Sequence, residues 1–136
     1  MITAVDTNVL LDTFIPDPEF GPPSLEALQR CLRDGLLVGC DVVWAEVMAG
    51  FPEPRAAMPA MDRLGVVFSP TDRAVAEAAG LAWTSYRRRG GPRERPIADF
   101  LIGAHAQVRA DRLLTRDRGF YRTYFAELEI VDPTRP

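Results

Sequence analysis

Five short apolar runs punctuate this chain: ITAVD (2–6), LLVG (36–39), VVFS (66–69), DRLLT (111–115) and LEIVD (128–132). Each is strand length, and a stretch long enough for one or more helices lies between most successive pairs. Strands spaced this way cannot close tight hairpins and need crossover connections. The pattern predicts an α/β fold: a three-layer sandwich with a mostly parallel central sheet flanked by helices, in one domain spanning 1–136. Helices are expected over 8–14, over 25–35 with Ser24 as N-cap and Gly35 as stop, and from an N-cap at Asp41 to Gly50. Further helices are expected over 55–65 despite Pro59, over about 72–89, over 97–110 and within 116–126. In the 97–110 segment, Ile97, Leu101, Ala104 and Val108 fall at helical spacing and predict its buried face. The segments IPDPEFGPP (15–23) and RRRGGPRERP (87–96) read as loops, and the PTRP tail as loose.

Several reaction classes are closed by residue usage. The chain has no lysine, so a P-loop and a Schiff-base mechanism are both excluded. It has one histidine, His105, and two cysteines, Cys31 and Cys40, without metal-ligand spacing, which argues against zinc. The cysteines are expected as buried free thiols, and His105 as a packing or surface residue. A net charge of −3 argues against nucleic-acid binding by bulk charge alone. No apolar stretch is long enough to span a bilayer and no export signal precedes the first strand, so no membrane contact and a cytoplasmic location are expected.

Four carboxylates interrupt apolar patterns near element ends: Asp6, Glu46, Asp99 and Asp117. Each alone has an ordinary reading. Asp6 and Asp117 suit helix caps, Asp99 suits the positive end of a helix dipole, and Glu46 suits a solvated helix face. In a parallel sheet, however, ligand sites form beyond the carboxyl ends of the strands, and neighbouring first and fourth strands would bring Asp6 and Asp117 together. Clustered carboxylates repel and stay ionised only beside a cation. Oxygen donors without histidine or cysteine suit Mg²⁺ or Mn²⁺, and such ions support phosphodiester hydrolysis. Asp12 reads as a surface residue and Asp41 as a cap.

Four segments, VDTNVLLD, VVWAEVMAG, IADFLIGAHA and LLTRDRGFYRTYF, resemble in order and spacing the PIN-domain ribonucleases, and among them the VapC-type toxins of toxin–antitoxin pairs. The resemblance covers essentially the whole chain. It implies a metal-dependent endoribonuclease acting on structured or single-stranded RNA, such as tRNA or rRNA. It also implies Asp6, Glu46, Asp99 and Asp117 as the catalytic Mg²⁺/Mn²⁺ ligands, supported by Asn8 and Thr115. A VapB-type antitoxin, contact with operator DNA only through that antitoxin, and a homodimer follow from the same likeness.

The arginines Arg87, Arg88, Arg89, Arg93 and Arg95, together with Arg116 and Arg118 beside Asp117, read either as a solvated surface or as a grip on RNA phosphates. Trp44 and Trp83 are expected in the core. The competing function is a PIN-like scaffold that binds RNA or protein without cutting. A receiver domain lacks its lysine here, and a haloacid-dehalogenase phosphatase would want aspartate at position 8, which is Asn8.

Overall fold

The computed structural model describes residues 1–92 and 95–135. Its strands are β1 (Ile2–Val5), β2 (Leu36–Gly39), β3 (Val67–Phe68), β4 (Arg112–Leu114) and β5 (Glu129–Val131). All are parallel, in the order β3-β2-β1-β4-β5. The helices are α1 (Thr7–Phe14), α2 (Gly21–Asp34), α3 (Asp41–Gly50), α4 (Ala57–Leu64), α5 (Arg73–Arg88), α6 (Ile97–Arg109) and α7 (Arg118–Tyr124). A 3-10 turn at Pro54–Ala56 leads into α4.

The chain steps outward from β1 to β3, then returns to lay β4 on the other side of β1. Right-handed crossovers therefore put α1–α4 on one face and α5–α7 on the other. The contacts of α1 with α2 and α3, and of α5 with α6 and α7, agree with that division. The direction of winding reverses between β1 and β4, which is where an open parallel sheet parts to form a crevice. Leu37, Leu113 and Leu114 are fully buried in the sheet, and each such side chain contributes about 1.5–3 kcal/mol of transfer free energy.

The expected fold class holds, with local differences that have physical causes. The second helix begins at Gly21, not after Ser24, because Pro22 and Pro23 take its first positions, where a missing N–H costs nothing. Ser24 is therefore no cap; it is buried inside α2, and its hydroxyl donates to Asp12 Oδ2 at 2.9 Å. Asp12 in turn is buried rather than on the surface. Asp41 is the first residue of α3, not its cap, and its carboxylate accepts from the Thr71 N–H and hydroxyl.

The α6 stripe is also rotated from its expected position. Ile97 and Val108 are exposed, and Phe100, Ile102, Ala104 and Ala106 fill the core. Small residues at 103, 104 and 106 let this helix lie so close that a Cβ at Gly103 would meet the Phe125 ring at 2.4 Å. Trp44 is buried and Trp83 is packed against the core. Cys31 and Cys40 are free and buried, and burial pushes the Cys40 thiol up to about 11, as for an inert core thiol. His105 is buried with Nε2 2.8 Å from Ser69 Oγ, a satisfied packing residue. The tail is turned rather than loose where it is described: Asp132 accepts from both the N–H and the hydroxyl of Thr134.

Candidate active site

Asp6 stands where β1 ends and α1 begins, at the parting of β1 and β4. It is the N-cap of α1, with Oδ1 accepting from the Thr7 N–H at 2.7 Å, so the simple capping role is real. Its other oxygen turns toward β4, accepting from Thr115 Oγ1 at 2.7 Å and from Asn8 Nδ2 at 3.4 Å. Thr115 follows β4 directly and is itself held by the Asp117 N–H, which donates to Oγ1 at 3.0 Å. That donation directs the Thr115 proton toward Asp6.

The other three acids arrive from separate elements. Glu46 lies on α3, and its Oε1 accepts from Thr7 Oγ1 at 2.8 Å. Thr7 thus joins Asp6 and Glu46, one through its N–H and the other through its hydroxyl. Asp99 lies in the first turn of α6, and Asp117 is the residue before α7. Asp117 occupies the cap position of α7 without a side-chain capping bond; its carboxylate pairs with Arg95 Nη2 instead. Arg95 Nε lies 2.9 Å from Asp99 Oδ2. The fold therefore brings Asp99 within electrostatic reach of Asp6, Glu46 and Asp117, and Thr7 links Asp6 to Glu46. Among the described residues, no three of them converge closely enough to chelate an ion in this arrangement.

Asp6 has a pKa pushed up to about 6, chiefly by burial and further by the Asp99 charge, against the lowering effect of Thr115 and Thr7. Asp99 is also raised, by burial first and then by Asp117 and Glu46, with Arg95 opposing. The Tyr121 hydroxyl faces Asp6 from α7 without forming a hydrogen bond, and burial beside these acids raises its pKa as well. Loss of water around these groups, with neighbouring carboxylates adding to it, sets these directions.

The sign of the resulting pH dependence follows. Asp6 binds its proton more tightly folded than unfolded, so the protein loses stability as pH rises from about 4 to about 6. The loss from Asp6 amounts to about 3 kcal/mol. Urea unfolding in EDTA across this range is expected to show it, with the slope reduced in Asp6→Asn. An equal slope in both proteins would rule out Asp6 as its source.

The donor chemistry suits a hard divalent cation. Carboxylates and hydroxyls supply the oxygens, nitrogen and sulfur ligands are missing among the described pocket residues, and a guanidinium already serves as cation for two acids. Three pocket residues escaped the sequence reading: Thr7, Tyr121 and Arg95 in its role as counter-ion. Only Thr7, next to Asp6, carried any signal.

The arginines divide sharply. Arg87 and Arg88 are exposed and line a cleft with Thr84 and Gly91, and Arg89 lies over the Tyr124 ring at 5.6 Å. Arg118 opens α7, half-buried. Arg93 lies outside the described residues. Arg116 does not present itself to a ligand: Nε and Nη2 grip the two Asp12 oxygens at 2.6 and 3.0 Å, and the guanidinium stacks on Phe20.

A family profile described as PIN domain matches residues 3–126. No curated protein matches the sequence. Among solved structures, VapBC2 from Rickettsia felis bound to a DNA fragment from their promoter is similar, with a TM-score of 0.76 and 17% identity over 97% of this chain and 98% of that one. VapBC-1 from nontypeable Haemophilus influenzae is similar with a TM-score of 0.76 and 20% identity, covering 99% and 100%. A toxin–antitoxin complex from Klebsiella pneumoniae gives a TM-score of 0.67 and 22% identity over 96% and 97%. At such identities the likeness is one of fold.

Proposed function

Because the chain belongs to the PIN-domain family, we propose that it is an Mg²⁺- or Mn²⁺-dependent endoribonuclease, the VapC-type toxin of a toxin–antitoxin pair. What supports this most is that Asp6 sits at the topological switch point and is linked through Thr7 to Glu46, while Arg95 spans Asp99 and Asp117. Burial raises the Asp6 pKa to about 6, a cost that a bound cation would relieve.

When bound, a divalent ion would supply charge to phosphoryl oxygens and an activated water. The chain's own part is to hold the ligands. Thr115 and Asn8 steer Asp6 Oδ2, the Thr7 N–H steers Oδ1, and the Thr7 hydroxyl orients Glu46. Asp99 and Asp117 come from the opposite side on α6 and just before α7. In this reading Arg87, Arg88 and Arg89 receive RNA phosphates that the acidic pocket would repel. The three-residue basic run is exposed, as such a grip requires. A VapB-type antitoxin as partner, operator contact through it, and a homodimer extend the likeness to the VapBC assemblies.

The test is direct. The purified chain is incubated with total cellular RNA and Mn²⁺, and the new 5′ ends are mapped. Discrete cuts that vanish with EDTA are expected. Intact RNA under every metal condition would favour the catalytically silent scaffold. The product of an adjacent short reading frame, if it is the antitoxin, should copurify and suppress the cuts.

A further inference from the structure

Arg95 reaches into the acidic pocket from the loop before α6. Its Nε is 2.9 Å from Asp99 Oδ2, its Nη2 pairs with Asp117 Oδ2, and its guanidinium carbon lies 3.8 Å from the Phe120 ring centroid. The side chain is 27% exposed, so most of it is enclosed by those three groups. A guanidinium keeps its charge at any working pH, and its fork can serve two carboxylates at once. Electrostatically it does for Asp99 and Asp117 what a divalent cation would do. The seat is nevertheless imperfect. The Nε is buried and, despite its nearness to Asp99, has no hydrogen bond of proper direction. Nη2 does hydrogen-bond Asp117, but the Nε–Asp99 contact is held by charge without alignment and is open to exchange with another cation.

The same two carboxylates cannot serve both cations, because an ion seated on their oxygens would lie within a few ångströms of the guanidinium and be repelled by it. We propose that Arg95 is the resident counter-ion of this pocket, and that a divalent cation binds only by displacing it from between Asp99 and Asp117. This rests on the metal-dependent reading above. The measured affinity for metal is then the intrinsic affinity reduced by the fraction of molecules in which Arg95 is out of its seat. Arg95 thereby sets the metal concentration at which the pocket fills, and its exit is an obligatory step before any metal-dependent chemistry.

The experiment is calorimetric titration of MnCl₂ into the full chain, comparing wild type, Arg95→Met, and Arg95→Met combined with Asp99→Asn. Methionine keeps an apolar side chain against Phe120 and removes the charge. Arg95→Met is expected to bind Mn²⁺ roughly tenfold more tightly, as if Arg95 vacates its seat in about a tenth of wild-type molecules. The added Asp99→Asn should cancel that gain. A second readout needs no titration: in EDTA, Arg95→Met should melt below wild type, and Mn²⁺ should raise its melting temperature by more. If Arg95→Met fails to fold, Arg95→Gln carries the same comparison. Equal Mn²⁺ affinity in wild type and variant would overturn this proposal and leave the metal reading standing. Absence of Mn²⁺ binding in both would overturn the metal reading, and this proposal with it.

Discussion

Asp6→Asn is expected to lower metal-dependent RNA cleavage by roughly a thousandfold or more, because a central charge of the reacting pocket disappears. The fold should survive. Asparagine has nearly the same shape, and at pH 7 without metal the substitution relieves a buried carboxylate whose pKa stands at about 6. That relief is offset by lost hydrogen bonding. Three donors converge on Asp6, from Thr7, Thr115 and Asn8, and an amide offers them a single oxygen. The two effects are of similar size, so the melting temperature should stay within about 5 °C of wild type. The decisive measurements are the cleavage rate and the melting curve on the same preparation. A folded Asp6→Asn protein that cuts at wild-type rate would sink the four-carboxylate site.

The largest stability effect is expected at the pair that sequence reading assigned to the surface and to RNA. Arg116→Met should strand the Asp12 carboxylate, whose side chain is only 8% exposed. Removing one partner of a buried pair costs about 3–5 kcal/mol. Because Arg116 is itself 27% exposed, we expect the lower end, about 3 kcal/mol, or about 10 °C in melting temperature. Adding Asp12→Ala should recover part of this loss, since the double variant leaves no buried charge. RNA affinity, measured by fluorescence anisotropy where the variant is folded, should change less than about twofold, whereas losing the Arg87 and Arg88 charges should weaken it in a salt-dependent way. A large loss of RNA binding with no loss of stability in Arg116→Met would reverse the assignment.

The loss of the expected Ser24 cap and the burial of Asp12 belong to the same piece of structure. Pro22 and Pro23 look like loop residues until the preceding turn is known, and only then do they become the first turn of α2. Once α2 starts at Gly21, Ser24 faces Asp12, and Arg116 closes over the Asp12 carboxylate. None of these side chains is adjacent in the chain, so local propensity could not have joined them. The α6 stripe differed for a related reason. Glycine and alanine at 103, 104 and 106 carry little hydropathy, yet their small size is what lets this face approach the sheet and Phe125. Hydrophobic periodicity weighs bulk, whereas close approach rewards its absence.

What the amino-acid sequence determined by itself was the alternation of strands and helices, the parallel sheet, and the placing of acids at strand and helix ends with oxygen-only chemistry around them. These follow from short-range physics: periodicity, turn residues and the high cost of a charge in an apolar run. Only the tertiary structure decided which arginine meets which carboxylate. Arg95, Arg116 and the exposed Arg87–Arg89 run are chemically identical along the chain, and each acid would accept any of them. Pairing of β1 with β4 set Arg116 against Asp12 across 104 residues. The loop before α6 set Arg95 between Asp99 and Asp117. Partner choice depends on reach and burial after the sheet has closed, and that distance information is not written in local sequence.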